Sequence, residues 1–130
     1  MTLSLALVFK ALWTGLAGAT GAGTRHLVAT HSRRQFGDQF PWGTLFINLT
    51  GALLIGFISA YLSRHDPLSP WHAPLVLGFL GGYTTFSTFM LEAARLRERA
   101  AHTLLFSYIA ASVIIGPLAA FAGLALGKVL

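Results

Sequence analysis

The residues best suited to chemistry lie in one apolar stretch, residues 78–89, which reads GFLGGYTTFSTF. Besides its tyrosine it holds three glycines, four Ser or Thr residues and three phenylalanines, and it carries no charge. A helix in lipid must satisfy its own backbone groups, because no water is present to do so. Glycines followed by a hydroxyl-rich run therefore predict a helix that opens within the membrane. Its freed carbonyls and hydroxyls would face protein, water or an ion, which favours ion handling.

The composition predicts the membrane elements that must position this stretch. Of the 130 residues, 55% are hydrophobic and 10% are charged, against about 25% charged in a typical soluble domain. A bilayer core of about 30 Å needs roughly 20 apolar residues per helix. We expect an all-α membrane protein forming a single domain over residues 1–130, with the third of its four transmembrane helices broken mid-membrane. The four predicted segments are Leu3–Thr24, Trp42–Leu62, Trp71–Ala94 and Thr103–Lys128.

The charge and residue usage exclude several function classes. The net charge is +5, but the basic residues cluster at segment ends, where they favour a membrane surface, and they form no face for nucleic acid. The chain has no cysteine, which excludes disulfides and thiolate metal sites. Its five histidines lack metal-ligand spacing, and no carboxylate pair lies within a segment. We therefore expect neither a nucleic-acid partner nor an enzyme.

Small and polar residues indicate how the segments pack. Gly15, Gly18 and Gly21 form a ridge along the first segment, which lets a neighbouring helix approach closely. Thr44, Asn48 and Gly51 share one face of the second segment. In the fourth segment, the sequence Gly116-Pro117 predicts a kink.

Three groups of candidate residues in the segments each admit two interpretations. Asn48 is either a hydrogen-bonding link between helices or a neutral donor to an anion. Phe86 and Phe89, three residues apart, either pack against lipid and protein or offer the partly positive edges of their rings. Gly81 and Thr84 mark either a simple kink or a pair of carbonyls suited to a hard cation.

Three charged residues lie within or near the ends of the predicted segments. Arg25 and Glu92 are expected near segment ends, where they either cap the interface or mark a functional site. Lys10 lies about two turns into the first segment and is expected to extend its ammonium group to the lipid headgroups.

Three blocks of sequence resemble the Fluc/CrcB fluoride channel family. They are GATGAGTRH at residues 18–26, PWGTLFINLTGALLIG at residues 41–56 and GFLGGYTTFSTF at residues 78–89. The third block is the most specific, and the four-segment layout also matches. The chain departs from the family at His26, where a large aromatic residue is common, and at Gly116, where a further hydroxyl is common.

The resemblance implies an antiparallel, dual-topology dimer with two fluoride pores and a structural Na⁺ at its centre. The carbonyls of Gly81 and Thr84 match the family's sodium ligands, and Arg25 and Glu92 match its vestibule residues. The positions that match its fluoride pore are Asn48, Phe86, Phe89, Ser87, Thr88, Tyr108 and Ser112.

The distribution of basic residues leaves two dimers open. Connections one and three share a side and hold Arg25, Arg33, Arg34, Arg95, Arg97 and Arg99, whereas the other side holds Lys10, Arg64 and Lys128. A dual-topology protein should show little such bias. We favour a homodimer that tolerates the bias over one half of a heterodimer with an oppositely biased paralogue.

The sequence thus predicts a passive, fluoride-selective channel in the bacterial inner membrane, where it exports fluoride from the cytoplasm and reduces fluoride toxicity. One alternative is a small cation-coupled transporter, which would need a titratable residue mid-membrane. Another is a structural adaptor that only dimerises, which would leave Asn48 and the hydroxyl-rich run without a role.

Overall fold

The computed structural model describes residues 2–130, without the side chains of residues 2 and 3, and it is helical throughout apart from short connections. Four helices are long and apolar enough to cross a membrane: α1, Thr2–Phe36; α2, Trp42–His65; α3, Ala73–Glu98; and α4, His102–Val129. The predicted all-α class with four membrane-spanning helices is therefore confirmed.

Helix α1 is much longer than the sequence predicts. The first segment was expected to end at Thr24, but the helix continues through Phe36 because no proline or glycine lies between these residues. It ends at Gly37, whose φ of 74° is favourable only for glycine and whose N–H donates to the Arg33 carbonyl at 2.9 Å. Arg25 therefore lies inside α1, about 16 Å from its C-terminal end at 1.5 Å per residue, and the prediction of a segment-end position was wrong.

Glycines set the closest approaches between helices. A methyl group on Gly21 would overlap the Phe79 carbonyl, and one on Gly82 would overlap the Gly18 carbonyl, so α1 and α3 pack backbone against backbone. Helices α2 and α4 pack in the same way, where Gly123 faces the Leu53 carbonyl. The predicted ridge is confirmed at Gly18 and Gly21, whereas Gly15 has no neighbour within 4 Å.

Helices α3 and α4 both depart from regular α geometry. Helix α3 is π-helical over Ala73–Leu80 and α-helical over Gly81–Tyr83, and it resumes at Ser87–Glu98 after three residues outside the helix. Thr84 begins this interruption in an extended conformation, with ψ of 159°. Helix α4 is α-helical over His102–Ala110, widens to a π-helix over Ala111–Ile115 and is α-helical again over Gly116–Val129. Its hydrogen-bonding pattern therefore changes, but no residue leaves the helix.

Both connections that leave the C-terminal ends of α1 and α3 lie on one side of the bundle. The Arg99 guanidinium donates to the Asp38 carbonyl at 3.3 Å, and Asp38 also forms a 2.8 Å ion pair with Arg33. On the opposite side the His65 ring lies 3.1 Å from the carbonyl of Leu130. One end of the bundle is therefore rich in arginine, and the other holds the second connection and the C-terminus.

Candidate functional site

The interruption in α3 is held by side chains from α1 and α2. The Asn48 Nδ2 donates to the Thr85 carbonyl at 2.9 Å, and the Asn48 Oδ1 accepts from the Thr85 N–H at 2.9 Å. The Arg25 Nη1 donates to the neighbouring Thr84 carbonyl at 3.1 Å. These bonds pair backbone groups that a break in a helix leaves without partners.

Close packing places Asn48 opposite Thr85. Gly51 lies one turn after Asn48 on α2, and a methyl group there would overlap the Thr84 side chain. The shared face predicted for Asn48 and Gly51 therefore contacts the interruption directly. Thr44, on the same face, is 2% exposed.

Thr85 is the member of this site that the sequence reasoning missed. Its Oγ1 accepts from the Thr88 N–H at 3.3 Å and donates to the Thr88 Oγ1 at 3.1 Å. The Ser87 hydroxyl lies 3.4 Å away, so three hydroxyls gather where the second part of α3 begins. A Thr placed three residues before a helical N–H is a common capping arrangement, and this spacing was the available signal.

A second group of candidate residues joins α3 to α4. Tyr108 is fully buried, and its hydroxyl donates to Glu92 Oε2 at 2.9 Å. The ring centroids of Phe89 and Tyr108 are 5.1 Å apart, and those of Phe86 and Phe89 are 5.9 Å apart. These three rings thus form a continuous row, which Phe40 extends beyond Tyr108 at a centroid distance of 5.7 Å, and the Tyr108 hydroxyl joins the row to a carboxyl group.

The remaining candidates have distinct surroundings. The Ser112 hydroxyl donates to the Tyr108 carbonyl of its own helix at 2.8 Å, so its proton is engaged. Gly81 is exposed, and a methyl group there would make only an ordinary contact at 3.8 Å, so nothing within the single chain requires glycine. Phe86 is 74% exposed and directs most of its ring away from the chain.

A cavity of about 200 Å³ opens beside Glu92 at the arginine-rich end of the bundle. Its walls come from the end of α1, the first connection, the start of α2 and the end of α3. The charged residues that line it are Arg33, Asp38, Glu92, Arg95 and Arg99. This arrangement admits water and attracts anions to within reach of the Glu92–Tyr108 pair.

Comparison with known proteins identifies the family. The model of the family described as "CrcB-like protein, Camphor Resistance (CrcB)" matches residues 12–124, which is most of the chain. This chain belongs to the CrcB family. The family match includes every candidate site residue, from Arg25 to Ser112.

Curated relatives of this CrcB-family chain are similar over most of their length. A protein of Rhizobium meliloti named "Fluoride-specific ion channel FluC" is 46% identical over 116 residues, covering 88% of this chain and 93% of the relative. A protein of the same name from a Caulobacter strain is 40% identical over 121 residues, covering 92% of this chain and 94% of the relative. A Listeria monocytogenes protein named "Fluoride-specific ion channel FluC 1" is 40% identical over 113 residues, covering 87% of this chain and 92% of the relative.

Proposed function

We propose that this protein is a passive, fluoride-selective channel that exports fluoride across the bacterial inner membrane. The observation that carries the proposal is the identity of 40–46% to relatives named fluoride-specific ion channels, over almost the full length of both chains. Four apolar helices agree with a multi-pass membrane protein. In acidic surroundings fluoride enters cells as HF, which dissociates inside and leaves the anion trapped in the cytoplasm. A passive pore then suffices, because the membrane potential drives the anion out.

The donors at the site suit a small, strongly hydrated anion. Asn48 uses one amide hydrogen on the Thr85 carbonyl, which leaves its second hydrogen for an anion. The hydroxyls of Ser87 and Thr88 and the ring edges of Phe86 and Phe89 add further neutral donors. Neutral donors replace water without trapping the ion, because conduction requires binding weak enough for release.

We propose that the working unit is an antiparallel, dual-topology dimer within the lipid bilayer. Phe86 and Gly81 are both exposed in the single chain, and a second copy packed against α3 would cover them and complete a pore on each side. Arg25 and Lys10 both lie inside α1, and the remaining basic residues are still biased toward one end. That end holds Arg33, Arg34, Arg95, Arg97 and Arg99, and the other holds Arg64 and Lys128. We propose a homodimer that tolerates this bias rather than a heterodimer with a paralogue.

Orientation labelling tests the dimer. Single cysteines at His65 and Arg97, each in the otherwise cysteine-free chain, would be labelled from outside intact cells with an impermeant maleimide. A homodimer of dual topology predicts that both sites are labelled in part. Labelling of only one of the two sites would mean a single orientation and would favour the heterodimer.

A structural Na⁺ fits the backbone of α3. In a continuous α-helix, the Gly81 and Thr84 carbonyls would accept from the N–H groups of Thr85 and Thr88. Here the first N–H donates to Asn48 and the second to the Thr85 hydroxyl, so both carbonyls lose their intrahelical donors. Carbonyl oxygens suit a hard cation, and the residues that would hold Na⁺ are Gly81 and Thr84. A bound Na⁺ would supply a fixed positive potential near the anion paths.

Fluoride efflux from liposomes tests the proposed function. Purified protein is reconstituted into KF-loaded liposomes, valinomycin is added to release the counter-ion, and a fluoride electrode follows efflux; KCl-loaded liposomes with a chloride electrode serve as control. We expect rapid valinomycin-dependent release of fluoride and no release of chloride. Equal release of both anions would contradict selectivity, and fluoride release without valinomycin would contradict a passive uniport.

A further inference from the structure

The two carbonyls assigned to sodium lose their helical donors in different ways. The N–H of Thr85 is captured by a side chain from another helix, Asn48 of α2, at 2.9 Å. The N–H of Thr88 is captured locally, by the Thr85 hydroxyl at 3.3 Å. Only the hydrogen bond from the Thr85 N–H to Asn48 depends on the packing of α2 against α3. That bond leaves the Gly81 carbonyl without its helical donor.

The two carbonyls also differ in what replaces the lost donor. Thr84 accepts a hydrogen bond from the Arg25 guanidinium at 3.1 Å. Gly81 is an exposed residue, and the N–H that would bond its carbonyl in a continuous helix, that of Thr85, donates to Asn48 instead. The Gly81 carbonyl is therefore the more available ligand, and its availability depends on where the Thr85 N–H points.

We infer that Asn48 is a positioning residue for the cation site: its Oδ1 holds the Thr85 N–H away from the Gly81 carbonyl and thereby keeps that carbonyl free for Na⁺. This inference rests on the sodium site of the proposed function. The second Asn48 bond, from Nδ2 to the Thr85 carbonyl, fixes the same residue from its other side. Asn48 thus links the cation site to the anion path, because one amide serves both.

Substitutions can separate the two halves of the Asn48 side chain. Asn48→Asp keeps an oxygen that accepts from the Thr85 N–H and loses the donor to the Thr85 carbonyl. Asn48→Leu has a similar size and removes both, so the Thr85 N–H is expected to return to the Gly81 carbonyl. Asn48→Ser, whose hydroxyl is too short to reach α3, serves if the leucine variant does not fold. Thr50→Val is a matched control on α2, since the Thr50 hydroxyl contacts Tyr83 and not Thr85.

The sequence allows the Gly81 carbonyl to be observed alone. Residues 81–82 are the only Gly-Gly pair in the chain. Full-length protein labelled with carbonyl-¹³C glycine and ¹⁵N glycine therefore contains one doubly labelled peptide bond, and a carbon–nitrogen correlation NMR spectrum in micelles reports one Gly81 carbonyl shift. The spectrum is recorded in NaCl and in N-methylglucamine chloride at equal ionic strength.

The expected results distinguish the inference from the proposed function. Without sodium, the Gly81 carbonyl of the wild type, Asn48→Asp and Thr50→Val should resonate as one lacking a hydrogen bond, whereas that of Asn48→Leu or Asn48→Ser should move downfield. Sodium should shift the resonance in the first three proteins and not in the last two. A sodium response in Asn48→Leu and Asn48→Ser equal to that of wild type would overturn the inference alone. A wild type without a response would overturn the sodium site as well, while the liposome assay would still test fluoride conduction.

Discussion

Helices α3 and α4 each lose regular α geometry in the middle, and they do so in different ways. Helix α4 widens to a π-helix over Ala111–Ile115, immediately before Gly116-Pro117. Proline has no N–H and its ring clashes with the preceding turn, so a local widening relieves the clash. Over these residues the Ser112 hydroxyl donates to the Tyr108 carbonyl, so this side-chain hydrogen bond stays within the helix.

Helix α3 instead opens, and two other helices contribute to holding it open. Its extended residue, Thr84, is followed by Thr85, whose N–H and carbonyl both bond to Asn48. A helix can thus accommodate a proline by itself, whereas an interruption in an apolar environment needs polar partners from elsewhere. The external polar partners are the reason why the proposed ion site is placed at α3, and the most direct tests alter matched residues in the two helices.

The largest effect on conduction is expected from Phe86→Ile. The Phe86 ring is 74% exposed in the single chain, so its loss should change the folding of the chain little, but the pore loses an aromatic edge. We expect fluoride efflux to fall to the rate of protein-free liposomes. Phe121→Ile on α4, where the ring is 68% exposed, is the matched control and should conduct as wild type. Equal conduction by both variants would remove Phe86 from the pore.

The largest effect on stability is expected from Tyr108→Phe, which removes the hydrogen bond from α4 to Glu92 of α3 and keeps the ring. The buried hydroxyl donates to a carboxyl group, and such a bond contributes about 1.5–3 kcal/mol. Denaturant unfolding in micelles should show a loss of this size. Tyr61→Phe is the control, because the Tyr61 hydroxyl has no hydrogen-bond partner among residues 2–130 in this structure. If the two substitutions were equivalent, the Tyr108–Glu92 bond would contribute nothing to stability.

A smaller effect is expected from Thr85→Val. The substitution keeps the shape of the side chain and removes the oxygen that accepts from the Thr88 N–H. Loss of such a cap costs about 1 kcal/mol, and the free N–H can return to the Thr84 carbonyl. Thr85→Ser restores the oxygen and should recover both stability, measured by unfolding, and fluoride efflux, measured in liposomes. Failure of serine to rescue would show that the hydroxyl is not sufficient and that the methyl group of threonine is needed as well.

The smallest effect is expected from Gly116→Ala beside the π-helical part of α4. Beyond its chain neighbours and its own helix backbone, no described atom lies within 4 Å of the added methyl group. The better helix propensity of alanine, at most about 1 kcal/mol, is offset by the clash of its Cβ with the Pro117 ring, so stability should change by less than about 1 kcal/mol and efflux should not change. Gly123→Ala on the same helix is the contrasting variant, because its methyl group would overlap the Leu53 carbonyl and should destabilise the protein. A large loss of conduction in Gly116→Ala would show that α4 takes part in ion handling at this position.

The sequence predicted the spans well because twenty-residue apolar stretches separated by charges have few alternatives in a membrane protein. It predicted the end of α1 poorly, since apolarity ends near Thr24 while helix formation ends only at Gly37. The length of an apolar stretch indicates how much of the chain lies in the bilayer. The helix itself ends where the backbone adopts a conformation that favours glycine.

The candidate site shows a similar division. Residue types indicated Asn48, Phe86 and Tyr108, because polar and aromatic groups are conspicuous in an apolar stretch. The partners of these residues could not be predicted: Asn48 to Thr85 spans 37 positions and Arg25 to Thr84 spans 59, and such pairings follow from packing between glycine-lined helices. Thr85 was missed because its role depends on the exact residue at which α3 resumes.

The order of the partners along the chain has a consequence for biosynthesis. Arg25 and Asn48, which hold the interruption, both precede it in the sequence, and α4 supplies neither bond. When residues 84 and 85 leave the ribosome, both partner side chains have already been synthesised. The opened backbone can therefore be hydrogen-bonded while α3 enters the membrane, before α4 is complete and before a second copy is encountered.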